Sequence, residues 1–237
     1  AINLSLNKVF NNYTVGGQFY LTDSKLSFDN SFSGNNPKQI SDQTISNIFL
    51  ERFWNNSFET RLDLDKSDIK LSYNYGSFIN TQQDQFRVTN KLFLSRNHSV
   101  VFGYENRKDE RSPVTSGLSS RITDSVYLGY LGNFNKISLQ VNLRNDDAEK
   151  IGSETTWFIG GAYKFNRNHS IFLNKSTAFG IPTAYALSTN SNLQPEDHAS
   201  TELGLTLKYP NYFFRAVLFD TDTNNPITYD PSDSYIA

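Results

Sequence analysis

The side chains best suited to moving protons or holding metal near neutral pH are three histidines, and their settings point away from both roles. His98 and His169 each close a short polar stretch, Ser95-Arg96-Asn97-His98 and Asn166-Arg167-Asn168-His169, while His198 follows Pro195-Glu196. The chain has no cysteine, and no His/Glu spacing matches a zinc site. Solvated turn residues are the expectation for all three. Carboxylates sit in alternating stretches (Glu59, Asp63) and in a polar one (Asp146, Asp147, Glu149). The latter, and separately Asp29 and Asp42, offer the oxygens calcium takes, but in no defined loop spacing. A charged face turned to water accounts for them more simply. There is no nucleophile elbow, Walker loop or dinucleotide fingerprint, and Gly160-Gly161 lies inside an alternating stretch where close packing is expected. Neither catalysis, nor a resident metal, nor a cofactor is expected.

What the chemistry lacks, the pattern supplies. Only 37% of the 237 residues are hydrophobic, yet 14% are aromatic, with 13 Tyr, 19 Phe and no Met, a bias toward strands. The formal net charge of −2 and the scattered basic residues make nucleic acid a poor partner. No apolar run reaches the ~18 residues of a membrane helix, which says nothing against strands that only need to alternate.

Taken in order, Ile2, Leu4 and Leu6 alternate with polar residues, Asn11-Asn12 offers a turn, and Tyr13, Val15, Gly17, Phe19 and Leu21 alternate again. Ser24 to Gln43 is polar, contains Gly34 and Pro37, and is expected to be a long loop. Asp65-Lys66-Ser67-Asp68 has the composition of a turn, whereas Trp54-Asn55-Asn56-Ser57 fits either a turn or a bulge. Keeping long and short connections in alternation requires Ile45 to Asp65 to be one strand. Further polar connections are expected at 108–120, at Asp146 to Glu149 and at 176–199, with short turns near Ser95 to His98, Gly132 to Asn135, Asn166 to His169 and Tyr209-Pro210-Asn211. The count is about twelve strands in a single domain with no dividing linker. A soluble sandwich also alternates, but strands of about ten residues with aromatics near their ends and a long/short rhythm favour an all-β, up-and-down antiparallel transmembrane barrel.

One region carries a more specific pattern. Phe179-Gly180-Ile181-Pro182-Thr183, then Asn190-Ser191-Asn192-Leu193-Gln194-Pro195-Glu196, then Glu202-Leu203-Gly204 resemble the TonB-dependent outer-membrane receptors. Those receptors have a phenylalanine-to-proline segment, an Asn-Pro-Asn-Leu-x-Pro-Glu segment and a Glu-x-Gly strand start. Ser191 replaces the first proline here, and Gly180-Ile181 the usual basic-plus-small pair. With Asn142-Leu143-Arg144-Asn145-Asp146-Asp147 before Gly152 and Trp157, and with Asp220 to Asp230, the order is most similar to the cobalamin receptors. Haem receptors commonly place a histidine between the first two motifs; Phe179 to Asn192 contains none.

The resemblance implies part of a barrel of about 22 strands, with a plug domain before Ala1 and further strands after Ala237. It also implies residence in the bacterial outer membrane among its lipids, partnership with the TonB system through the plug, and uptake of a scarce large ligand. Cobalamin is the first candidate and a ferric siderophore or haem the alternative; a passive small pore is a competing reading from another class. Phe179, Pro182, Leu193, Pro195, Glu196, Glu202 and Gly204 are expected to be structural motif residues, and Tyr185, Asn190 and Asn192 to be outer-loop ligand contacts.

Overall fold

Period-two alternation dictates strands; the computed structural model describes residues 1–27, 38–112, 120–183, 186–187, 190–230 and 234–236. Twelve strands form one antiparallel sheet in strict chain order: β1 (Ile2–Phe10), β2 (Tyr13–Ser27), β3 (Lys38–Asn55), β4 (Phe58–Tyr73), β5 (Phe78–Ser95), β6 (His98–Ser112), β7 (Ser120–Phe134), β8 (Ile137–Ala148), β9 (Gly152–Lys164), β10 (His169–Gly180), β11 (Glu196–Lys208) and β12 (Phe213–Asn224). A separate hairpin, β13 (Thr228–Asp230) with β14 (Ser234–Ile236), follows. The up-and-down order is the one expected. Among the described residues β1 pairs only with β2, and β12 only with β11, so the sheet has two open edges.

The two faces are inverted relative to a water-soluble sheet. One register row runs Val15, Leu50, Leu62, Val88, Tyr104, Val126 across six strands, and a second runs Leu128, Leu143, Trp157. Their apolar side chains are open to the surroundings: Val126 is 55% exposed, Leu128 52% and Leu143 49%. The opposite face carries the row Phe49, Asp63, Arg87, Glu105, Ser125, Asp146, Glu154. Asp63, Glu105, Ser125 and Asp146 from that row are all buried. A sheet that buries carboxylates and exposes leucines is facing hydrocarbon on one side and a polar lumen on the other.

The end of the sheet with the tightest turns is collared by aromatics and cations. The Arg52 guanidinium lies 3.7 Å from the Trp54 ring and 4.9 Å from Tyr13, Lys91 lies over Phe93, and Tyr209 stacks on Tyr212 at 4.4 Å. This is the girdle expected at a lipid interface.

Several boundaries differ from expectation. Trp54 to Ser57 contains the turn between β3 and β4, so Ile45 to Asp65 is not one strand. Asp65-Lys66-Ser67-Asp68 is not a turn but the middle of β4, with Asp65 facing Asn47 and Gln85. Asp146, Asp147 and Ala148 belong to β8, not to a loop. The connections expected at 24–43, 108–120 and 176–199 are shortened by strands that reach Ser27, Ser112 and Gly180 and restart at Lys38, Ser120 and Glu196; residues 28–37 and 113–119 lie outside the described ones. One cause covers all of these. β3 and β5 each have 18 residues, whereas crossing a bilayer takes about 9–11. Above the membrane both faces meet water, so the strand continues after its apolar alternation has stopped.

The short connection between β8 and β9 holds Lys150 in the left-handed region at φ 66, next to Gly152 at φ 104. A lysine Cβ strains that backbone. Lys150→Gly is therefore expected to stabilise the barrel by about 0.5–1 kcal/mol, read from guanidinium unfolding in detergent; a destabilised variant would show that the Lys150 side chain contributes more than its backbone strain costs.

Candidate functional site

The inner face is built around three arginines projecting from β4, β5 and β8. On β8, Arg144 donates from Nη2 to Glu105 Oε1 at 2.8 Å and to Ser125 Oγ at 2.8 Å, and from Nε to both Asp146 oxygens at 2.9 and 3.0 Å. Ser125 in turn donates to Asp146 at 2.6 Å. On β4, Arg61 makes the same i,i+2 contact to Asp63 at 2.8 Å, and Asn47 bridges Asp63 and Asp65 at 3.2 and 2.7 Å. Arg87 joins the two halves more loosely, 3.4 Å from Glu105 and 3.6 Å from Asp65. Alternation places every member on one face, and antiparallel register brings Arg and acid side by side. Glu59 and Asp63 are therefore not a catalytic pair: Asp63 is bound by Arg61, and Glu59 stands four residues away along β4, beside Phe53 and Lys91.

Above this network the described residues of the connection 181–195 fold back over the inner wall. Its apolar residues Pro182, Ala186, Leu193 and Pro195 are buried, as are Ala148 and Thr123 of the wall, and Arg121 Nη1 of β7 reaches the Pro182 carbonyl at 3.4 Å. Locally the loop is tied by Thr183, whose hydroxyl accepts from the Ala186 N–H, and by Asn190, whose side-chain oxygen accepts from the Asn192 N–H at 3.0 Å. Asn190 thus spends part of its capacity on the loop, and Asn192 is exposed. Tyr185 lies outside the described residues.

The motif residues have identifiable jobs. Phe179 and Gly180 end β10 opposite Asp197 and Glu196. Glu196 accepts the backbone N–H of Ile227 and lies 3.7 Å from His198 Nε2, so it pins the chain after β12 to the start of β11. Glu202 accepts from Asn174 at 3.3 Å. Gly204 leaves room for the Phe172 ring, which would overlap an added Cβ. Glu196→Ala is expected to leave expression and membrane insertion intact and to loosen residues 225–230, because only their tie to the start of β11 is lost. Hydrogen exchange at the Ile227 amide reads it, and a variant that fails to insert would make Glu196 part of what holds the sheet together.

The histidines are more engaged than solvated turn residues would be. His98 Nδ1 meets the Tyr130 hydroxyl at 2.7 Å, His169 meets Asn166 Nδ2 at 3.1 Å, and His198 meets Thr223 at 2.9 Å. Among the described residues no cluster of three His, Asp or Glu could hold a metal. Asp146 is saturated by Arg144 and Ser125, and Asp29 lies outside the described residues.

An inner face of buried ion pairs, an outer face of open leucines and an interfacial aromatic collar define a wall of a transmembrane β-barrel. The family model described as TonB dependent receptor-like, beta-barrel matches residues 2–237, and the chain belongs to that family. The family's members reside in the outer membrane of Gram-negative bacteria, and so does this wall. The chain is similar to the Vitamin B12 transporter BtuB of Vibrio vulnificus, 24% identical over 173 residues covering 70% of this chain and 28% of the relative. It is likewise similar to the Vitamin B12 transporter BtuB of Photobacterium profundum, 22% identical over 228 residues, 92% of this chain and 37% of the relative. Among solved structures it superposes on the siderophore receptor PirA of Pseudomonas aeruginosa with a TM-score of 0.74 at 14% identity, covering 99% of this chain and 54% of that one. The chain spans about a third of the length of the curated relatives it matches.

Proposed function

We propose that the chain forms part of the wall of an outer-membrane uptake receptor of about 22 strands that captures a scarce, large ligand and passes it inward by displacement of a plug driven through TonB. The observation that carries the reading is the pair of open edges on a sheet with a hydrocarbon-facing surface. On β1, Leu4 and Leu6 are 60% and 80% exposed, and on β12, Leu218 is 73% exposed. Unpaired edge strands inside a bilayer leave backbone groups without partners, which supports a wall continued by further strands. The same edges disfavour a passive pore that closes on twelve strands.

Cobalamin is the ligand the sequence likeness favours, since the relatives matched over most of this chain are vitamin B12 transporters. A ferric siderophore is the second reading; the solved structures at 11–14% identity support the fold alone. Asn192 and Tyr185 on the connection 181–195 are the proposed contacts, with Asn190 shaping the loop. Equilibrium binding of cyanocobalamin, haemin and a ferric tricatecholate to the whole receptor in detergent tests this. Saturable cyanocobalamin binding in preference to the others supports the cobalamin reading; preference for either of the others overturns it; binding of none overturns the uptake receptor.

A further inference from the structure

On the inner wall beneath the connection 181–195, positive charge is left unspent. Arg107 of β6 faces Thr123 of β7, and Arg121 of β7 faces Asp109 of β6, so the two arginines are diagonal neighbours on one face. The single carboxylate between them is taken: Asp109 accepts from Arg107 Nε at 3.1 Å on one oxygen and from Gln83 at 2.8 Å on the other. Arg121 makes only the 3.4 Å contact to the Pro182 carbonyl, and its buried Nε has no hydrogen-bond partner among the described residues. Thr123 Oγ1, on a residue 2% exposed, is likewise without one. The next acids down the wall, Glu105 and Asp146, are held by Arg144.

A buried guanidinium N–H and a buried hydroxyl left without acceptors are costly, and a second guanidinium beside them adds repulsion. An oxyanion relieves all three at once, because charge-assisted N–H···O⁻ bonds are shorter and about twice as strong as the neutral carbonyl contact they would replace. We propose that Arg107, Arg121 and Thr123 form an anion-binding corner that takes a phosphate or carboxylate group of the transported ligand in exchange for the Pro182 carbonyl contact. Anion entry then displaces the Pro182 carbonyl from Arg121. This rests on the uptake reading for the source of the anion, but not for the existence of the corner.

The test uses the whole receptor in detergent micelles, labelled with ¹⁵N-arginine and titrated with inorganic phosphate. The Nε–H signal assigned to Arg121 by its loss in Arg121→Lys is expected to shift saturably, and Arg107→Gln is expected to weaken that response about tenfold. No shift, or a shift that Arg107→Gln leaves unchanged, overturns the corner. A parallel arm measures cyanocobalamin, whose phosphodiester is the candidate anion. Binding weakened about tenfold by Arg107→Gln supports the ligand as the source; unchanged binding beside a clear phosphate shift assigns the corner to another anion and overturns that part of the proposal. A receptor that shows the phosphate shift yet binds none of cyanocobalamin, haemin and a ferric tricatecholate overturns the uptake reading while the corner stands.

Discussion

Arg144→Gln is expected to destabilise the barrel by about 3 kcal/mol, measured as guanidinium unfolding of the receptor in detergent or lipid vesicles. Arg144 is the common partner of Glu105, Ser125 and Asp146, and the two acids are 8% and 6% exposed as residues. Removing the guanidinium leaves the buried Asp146 without its cation and Glu105 with only the looser 3.4 Å contact to Arg87, and that poorly compensated charge is the cost, more than the loss of the pair itself. The Arg144 side chain is itself 33% exposed, which keeps the figure at the lower end of the range for buried pairs. Neutralising the acids as well, in Arg144→Gln with Glu105→Gln and Asp146→Asn, should recover most of the loss. If the single variant is as stable as the parent, the network is a solvated decoration of the lumen and not part of what holds the wall together.

Gly204→Val is expected to cost about 2–3 kcal/mol through the same measurement. The Phe172 ring lies over Gly204 on the inner face, occupying the space where a Cβ would stand, with the Arg215 guanidinium 5.7 Å from the ring. A valine forces the ring off the wall and into the lumen, where it loses its packing and meets water. The compensating change is specific: Phe172→Ala combined with Gly204→Val should be more stable than Gly204→Val alone. Equal stability of those two variants would show that the strain lies in the β10–β11 backbone rather than in the ring. This close approach is a physical reason for the glycine of the Glu-x-Gly motif, independent of any role in ligand contact.

The fold was largely legible because the bilayer imposes a pattern that sequence displays. Leu62 and Leu64 alternate with Asp63 and Asp65, and one face must then meet lipid while the other meets water. Legibility failed where the lipid ends. Lys66 and Asp68 read as a turn because neither face is apolar there, yet each backbone group still finds its partner across the sheet. An alternation of long and short connections then merges β3 into β4, whereas Asn55 to Ser57 is the turn, with the Asn55 side chain accepting from the Ser57 N–H. At the site, the motif residues Pro182, Leu193, Pro195 and Glu196 could be found from their types and order. The inner network could not, because nothing in the sequence says that Arg87 of β5 stands beside Glu105 of β6 until the register is known. Arg107, Arg121 and Thr123 are hidden for the same reason; the hint the sequence offers is a pair of arginines flanking the polar stretch 108–120.

The central claim is that the sheet has one face in lipid and one in a polar lumen, and the chain's lack of cysteine allows it to be tested one residue at a time. Single cysteines placed from residue 126 to residue 129 of β7 in the whole receptor, spin-labelled and reconstituted into vesicles, report collision with oxygen, which concentrates in lipid, and with a water-soluble nickel chelate. Labels at Val126 and Leu128 are expected to favour oxygen, and labels at Tyr127 and Gly129 the chelate, in strict alternation. Chelate access at Val126 and Leu128, or no alternation along the strand, would contradict a membrane-spanning wall.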